Sequence, residues 1–303
     1  MTSHQETYLV PTGDGRQVEA LVCGPAEGYP LVFHHWTPGA AVPFGIIERP
    51  ATQRGLRVIS YSRPGCGLST PRLESGSNAV IADAAADTEA VLNHLGLGAF
   101  VTIGWSGGGP SPLACAALLP ERCRAVACLA SPGPHDAAGL DPFAGMTAAN
   151  VTEYTAAGQG REALTATLEQ FIAPMLGLTD DQLLEALRGM FGPALSGELG
   201  EYAVACMRHS VHQGVIGWRD DTLAQVQPWG FDLDQIRVPV SIWHGADDRN
   251  VGTEHAEWLS QHIPGAQLHI LEGEGHVSLI LRIAEVLDDL LEQGRLADQL
   301  QTR

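Results

Sequence analysis

The chain has 303 residues, 45% hydrophobic and 17% charged, and a formal net charge of −18. This length and composition suit one large domain, or one domain carrying an inserted subdomain, with a sizeable core and little disorder. All 17 basic residues are arginine, which excludes Schiff-base chemistry, a phosphate-loop lysine and a lysine base, while the acidic balance disfavours nucleic acid and anionic membranes as partners.

The opening stretch, MTSHQETYLVPTGDG, lacks the basic start and apolar core of a signal peptide. Residues 7–12 and 17–24 flank the turn GDGR and predict a hairpin. A third strand follows at 31–36, then a helical stretch at about 42–54 and a strand at 57–63 that ends in the turn PGCG. The run SNAVIADAAADTEAVLNHLG, 77–96, has helical period, a Ser/Asn start and a Gly stop. Residues 99–105 and 125–132 read as strands, with a helix after Ser106 between them. The alternation then stops. From about 135 to 230 the pattern is helical, with segments near 147–157, 160–176, 180–191 and 198–213. Strands return at 238–245 and 266–273, with a helix between them and a long amphipathic helix after His276.

This order predicts an α/β fold: a mostly parallel eight-stranded sheet with helices on both faces, formed by 1–134 and 232–303. A helical cap, 135–231, is expected as an insertion after the sixth strand, over the carboxyl edge where ligands bind in open α/β sheets. Six cysteines, at 23, 66, 115, 123, 128 and 206, show no CxxC spacing and are expected as buried free thiols in a reducing cytoplasm. No apolar run is long enough to span a bilayer.

One serine sits among four glycines in GWSGGGP, 104–110. G-x-S-x-G between a buried strand and a helix is the pattern of a nucleophile elbow. The serine there takes a strained backbone conformation, so the residues two before and two after it crowd each other and must be small. The turn lifts Oγ above the sheet at a helix N-terminus, where the N–H of Gly107 faces a developing oxyanion. A bare five-residue pattern recurs by chance. The strand before it, the helix after it, and partners in the order Ser…Asp…His give it weight. Pro110 stands early enough for its missing N–H to be harmless, whereas Pro112 is expected to distort the first turn. Asp247 and Asp248 lie in WHGADDRNV after the seventh strand, and His276 lies in EGEGHVS after the last.

On these motifs the chain resembles the α/β-hydrolase family over essentially its whole length. The resemblance implies Asp248, three residues after Gly245, as the acid, and His276, after Gly275, as the base; Asp247 then caps the loop or pairs with Arg249. FHHWTPGA, 33–40, is similar to the family's His-His-Gly-Thr-Pro run, with Trp36 in place of the glycine. The oxyanion hole is then Gly107 N–H together with Thr37 N–H or Trp36 N–H. Trp36, His35 and Trp105 are the candidate substrate contacts, with the Trp36 indole expected at the pocket mouth. SRPGCGLS, 62–69, resembles the family's turn after the fourth strand and is expected to act as scaffold.

The implied activity is a serine hydrolase that cleaves a small or medium ester, lactone or thioester through an acyl-enzyme on Ser106, with no metal and no organic cofactor. The alternatives are aminopeptidase, C–C bond hydrolase or perhydrolase chemistry on the same triad, or a non-catalytic ligand-binding protein on this fold. Dehalogenases and epoxide hydrolases of the fold use an aspartate nucleophile, so Ser106 speaks against both. The similar proline iminopeptidases carry acidic cap residues that hold a substrate amine. Glu153, Glu198 and Glu201 are the candidates here, although cap glutamates are ordinarily solvated. Cap aromatics such as Tyr154, Phe171, Phe191, Tyr202, Trp218, Trp229 and Phe231 suggest an apolar pocket, with core packing the expected role of most of them. Among the histidines, His4, His94 and His262 are expected in solvent and His269 in a strand. His209 and His212 are expected to pack in the cap or face substrate.

Overall fold

In the computed structural model, which describes residues 5–72 and 79–301, the strands are β1 (Gln5–Pro11), β2 (Gln17–Cys23), β3 (Tyr29–His34), β4 (Leu56–Tyr61), β5 (Phe100–Trp105), β6 (Cys123–Leu129), β7 (Val240–Gly245) and β8 (Gln267–Leu271). They form one sheet in the order β1-β2-β4-β3-β5-β6-β7-β8. β1 and β2 make the expected antiparallel hairpin, and β2 also pairs antiparallel with β4. The pairings β3–β4, β3–β5, β5–β6, β6–β7 and β7–β8 are all parallel.

The central strands are apolar on both faces because both faces are covered. Leu31, Phe33, Ala127 and Leu129 point into one core, which they share with Ile47 and Ala51 of α1 (Gly45–Gln53). Val32, Val126 and Cys128 alternate into the other, which they share with Val91 and Leu92 of α2 (Asp83–His94) and Leu113 of α3 (Pro110–Leu118). Between β6 and β7 lie α4 (Ala148–Gln159), α5 (Arg161–Ile172), α6 (Asp180–Phe191), α7 (Gly197–Ser210) and α8 (Ile216–Val226). α9 (Thr253–His262) follows β7, and α10 (Ile283–Gln301) follows β8 after a 3-10 turn, Ser278–Arg282.

Several boundaries differ from the sequence pattern for local reasons. β3 stops at His34, before 36, because residues 35–37 leave the sheet to lie over the Ser106 turn. β6 stops before 130, where Ala130 takes a φ of 48°. α2 begins at Asp83, since Ala82 N–H is taken by Trp229 O in a preceding turn; positions 77 and 78 of the expected helix lie outside the described residues. α8 goes unpredicted. Its polar residues Arg219, Asp220, Thr222 and Gln225 are buried along with Gly217, Trp218 and Leu223, so polar and apolar positions do not sort onto an exposed and a buried face and no amphipathic period stands out. Pro112 sits in the first turn of α3 without breaking it, because the N–H groups there have no intrahelical acceptor to lose.

Candidate active site

The strand-to-helix turn has the geometry that its glycines imply. Ser106 follows β5 with a φ of 56°, a left-handed conformation that costs a non-glycine residue about 1–3 kcal/mol. A Cβ on Gly104 would run into the carbonyl oxygen of Gly108, and one on Gly108 into the carbonyl of His35. Both positions must therefore be bare. Ser106 to Gly108 form a 3-10 turn that leads into α3.

Three side chains from three loops at the carboxyl edge meet here. Ser106 Oγ lies 2.8 Å from His276 Nε2, and His276 Nδ1 lies 2.7 Å from Asp248 Oδ2. The carboxylate can only accept from Nδ1–H, which leaves Nε2 as the acceptor for the serine hydroxyl. Asp248 is itself fixed: its Oδ1 accepts the N–H groups of Asn250 (2.8 Å) and Val251 (3.0 Å). Burial works to raise its pKa, but the charge and hydrogen bond of His276, helped by these donors, hold it below the ordinary carboxylate range. Asp247, its neighbour, is exposed. His244 lies behind Asp248, with Nε2 donating to Val251 O at 2.9 Å, and burial keeps its ring neutral.

Trp105 and Trp36 serve differently from the expectation. Trp105 is fully buried, and its Nε1 donates to the carbonyl of His276 at 3.2 Å. Its contact is with the histidine loop, beneath the cavity. The Trp36 indole is also buried, packed against Trp105 (4.6 Å between ring centroids), Tyr202 (5.7 Å) and Phe191 (6.0 Å). An aromatic cluster draws it inward, so it does not stand at a pocket mouth. His35 is buried too, with Nδ1 donating to Trp36 O, and burial together with the Arg63 charge keeps it neutral. Thr37, by contrast, lies beside the elbow: a Cβ on Gly107 would stand 2.6 Å from its Oγ1.

A cavity of about 50 Å³ opens over Ser106. Thr37 and Gly107 line it from the sheet, and Asn150, Glu153 and Tyr154 of α4 line it from the opposite side. Its wall is thus more polar than the aromatics predict. Most of those rings pack elsewhere: Phe191 and Tyr202 on Trp36, and Trp229 on Phe231 at 5.9 Å. Glu153 is buried, contrary to the solvated position expected of it. Its Oε1 accepts from Trp218 Nε1 (2.7 Å) and Thr222 Oγ1 (2.6 Å) of α8. Burial pushes its pKa up to about 7 against the pull of those two donors. Tyr154 donates to Gln225, and Asn150 Nδ2 donates to Asn250 O at 3.1 Å, beside Asp248. Glu198 pairs with Arg49 at the surface and Glu201 is exposed, so neither reaches the cavity.

Of the other histidines named above, the five among the described residues stand outside the site. His94 and His262 are exposed, and His269 stacks on Trp243 at 4.0 Å. His209 donates to the buried Glu19 at 2.8 Å and His212 is exposed; His4 lies outside the described residues. All six cysteines are buried and free. Sequence reasoning misses Asp221 and Gln225, which carry no motif, and reads Arg63 only as part of the scaffold turn 62–69; all three become neighbours of the site only through the fold.

The sequence profile of the alpha/beta hydrolase fold matches residues 29–282. The chain belongs to the alpha/beta hydrolase family. Within this family it is 29% identical over 258 residues to a pimeloyl-(acyl-carrier protein) methyl ester esterase of Aromatoleum aromaticum, covering 82% of this chain and 91% of that one. It is also 29% identical over 291 residues to a non-heme chloroperoxidase of Streptomyces lividans, covering 93% and 97%. The solved 2-hydroxy-6-oxo-6-phenylhexa-2,4-dienoate hydrolase of Rhodococcus sp. strain RHA1 shares the fold, with a TM-score of 0.68 at 19% identity and coverage of 97% and 100%. The chain is a hydrolase of this family, and its relatives' names span several chemistries. No helix among the described residues is long and apolar enough to cross a membrane.

Proposed function

We propose that the protein hydrolyses a small or medium carboxylic ester, lactone or thioester through an acyl-enzyme on Ser106. The observation that carries this reading is the hydrogen-bonded line Asp248–His276–Ser106 ending at a cavity. His276 Nε2 takes the hydroxyl proton as Oγ attacks the acyl carbonyl, and Asp248 stabilises the imidazolium that forms. The oxyanion is held by Gly107 N–H and by Thr37 N–H, favoured over Trp36 N–H because Thr37 lines the cavity beside Gly107. The imidazolium returns its proton to the leaving alcohol or thiol. Water, deprotonated by His276, then releases the acid and restores Ser106. No step draws on a metal or organic cofactor.

In this reading α4 to α8 act as the cap. The room they leave beside Ser106, about 50 Å³, fits a short acyl group. Glu153 favours a second reading on the same triad, in which the substrate carries a free amine that the buried carboxyl receives, as in aminopeptidase chemistry. Comparing p-nitrophenyl esters with aminoacyl p-nitroanilides separates the two. The test common to both is Ser106→Ala, expected to lose on the order of 10⁶ in kcat and all labelling by a fluorophosphonate. Turnover retained by Ser106→Ala would exclude the acyl-enzyme.

A further inference from the structure

Arg63 follows β4 in the SRPGCGLS turn, is buried, and has no part in the chemistry above. Its guanidinium makes an unusual set of bonds. Nε donates to Asp221 Oδ2 of α8 at 2.7 Å, and Nη2 lies 2.7 Å from the same oxygen. Nη1 donates to His35 O at 2.7 Å, while Nη2 donates to Trp36 O at 2.8 Å and to Thr37 Oγ1 at 2.9 Å. One rigid fork therefore grips three consecutive residues of the loop that lies against the Ser106 turn.

The consequence follows from peptide geometry. In a planar trans peptide the C=O of one residue and the N–H of the next point in opposite directions. Anchoring Trp36 O on Arg63 thus fixes the direction of Thr37 N–H, and anchoring His35 O fixes Trp36 N–H. Both candidates for the second oxyanion donor are aimed by the same side chain. On its other face the loop lies close against Gly108, where an added Cβ would meet the carbonyl oxygens of His34 and His35. Asp221 adds a link to the helices between β6 and β7: it holds Arg63 and also lies 3.4 Å from Thr37 Oγ1.

We infer that Arg63 is a positioning residue for the oxyanion hole, and that Asp221 makes this positioning depend on α8 being seated against the sheet. The inference rests on Ser106 being the nucleophile and on a loop N–H serving as oxyanion donor. A charge alone would not do the work. Lysine keeps the ion pair, but a single ammonium cannot hold two carbonyls, a hydroxyl and a carboxylate in one plane.

The test compares Arg63→Lys and Asp221→Asn with the parent, using p-nitrophenyl acetate and a fluorophosphonate whose phosphoryl oxygen occupies the same hole. For Arg63→Lys, kcat is expected to fall about 10- to 100-fold with KM within about two-fold, because a donor displaced by an ångström weakens only the transition state. The second-order labelling rate should fall in the same proportion, with the near-ultraviolet circular dichroism unchanged. Asp221→Asn, which leaves Arg63 in place, should show a smaller fall of the same kind. Arg63→Lys with parental kcat and labelling rate overturns the inference, as does a loss confined to KM. If Arg63→Lys does not fold, Asp221→Asn decides: a slower labelling rate at parental KM supports the inference, and a parental rate overturns it. Ser106→Ala separates the two levels. Turnover surviving that change sinks the acyl-enzyme reading itself, whereas a dead Ser106→Ala beside a fully active Arg63→Lys sinks only the role of Arg63.

Discussion

At the sheet edge, Ser106, Asp248 and His276 stand on short turns and are held largely by backbone: a left-handed φ at Ser106, two N–H groups on Asp248, and a carbonyl at His276 that accepts from Trp105. Across the cavity, Asn150, Glu153 and Tyr154 come from one helix, α4, and two of them are held by side chains of another, α8. Backbone-held positions admit few residue types, because a Cβ or a different φ breaks the turn. Side-chain-held positions can be built in many ways. The first region suits chemistry that must not vary, and the second suits selectivity, which can.

With the nucleophile left in place, the largest expected effect breaks the first region at one atom. Asp248→Asn should lower kcat by about 10⁴, since the amide can present its NH₂ to Nδ1 and so favour the wrong imidazole tautomer. Asp247→Asn, at an exposed position one residue away, should stay within about three-fold of the parent, as surface changes remote from the reacting atoms do. Steady-state ester hydrolysis by the two variants is the measurement. Equal losses would mean that Asp248 does not orient His276.

The same difference explains what is legible in the sequence. The elbow can be read because Gly104 and Gly108 each exclude any side chain, and the sheet can be read because its strands alternate between two cores. Asp248 and His276 are singled out by the resemblance to the family, which implies an acid three residues after Gly245 and a base after Gly275. α8 is invisible because it is buried all round, and Glu153 reads as a solvated helix glutamate until Trp218 and Thr222 close over it. Arg63 and Asp221, 158 positions apart, meet only through tertiary structure.

Trp36 marks the boundary between the two regions, and its expected effect is next in size. It belongs to the loop beside Ser106, yet its ring packs on Phe191 of α6 and Tyr202 of α7. Trp36→Gly should therefore cost about 3–5 kcal/mol in unfolding free energy, the loss typical of emptying a buried aromatic site. The milder Trp36→Phe should keep the parental preference among p-nitrophenyl esters of different chain length. Urea denaturation and the ester profile together are decisive. A stable Trp36→Gly that accepts bulkier esters would move the indole back to the pocket mouth and make this loop a determinant of selectivity.

Glu153 gives the smallest and most specific test, and it asks whether the helical wall does more than exclude water. Its folded pKa, about 7, stands above the ordinary glutamate value of 4.5 because burial disfavours the charged carboxylate. For a group raised in the folded state, the associated stability is complete below the unfolded pKa and is lost as pH rises through the folded one. Glu153 should thus cost the protein stability between about pH 4.5 and 7, approaching roughly 3 kcal/mol, and Glu153→Gln should abolish that slope. Urea midpoints at pH 5 and pH 8 should differ less in Glu153→Gln than in the parent. The catalytic counterpart is a ratio. If Glu153 receives a substrate amine, kcat/KM for an alanyl p-nitroanilide relative to p-nitrophenyl acetate should rise as pH approaches 7 and the carboxyl ionises, then fall above about pH 8 as the substrate amine loses its proton. In Glu153→Gln the rise toward pH 7 should be absent and the ratio about ten-fold lower at its maximum, the loss expected for one charge-assisted hydrogen bond of about 1.4 kcal/mol. A ratio with the same pH dependence in both proteins would leave Glu153 as a hydrogen-bonded brace between α4 and α8, and would return the choice of substrate to the shape of the cavity alone.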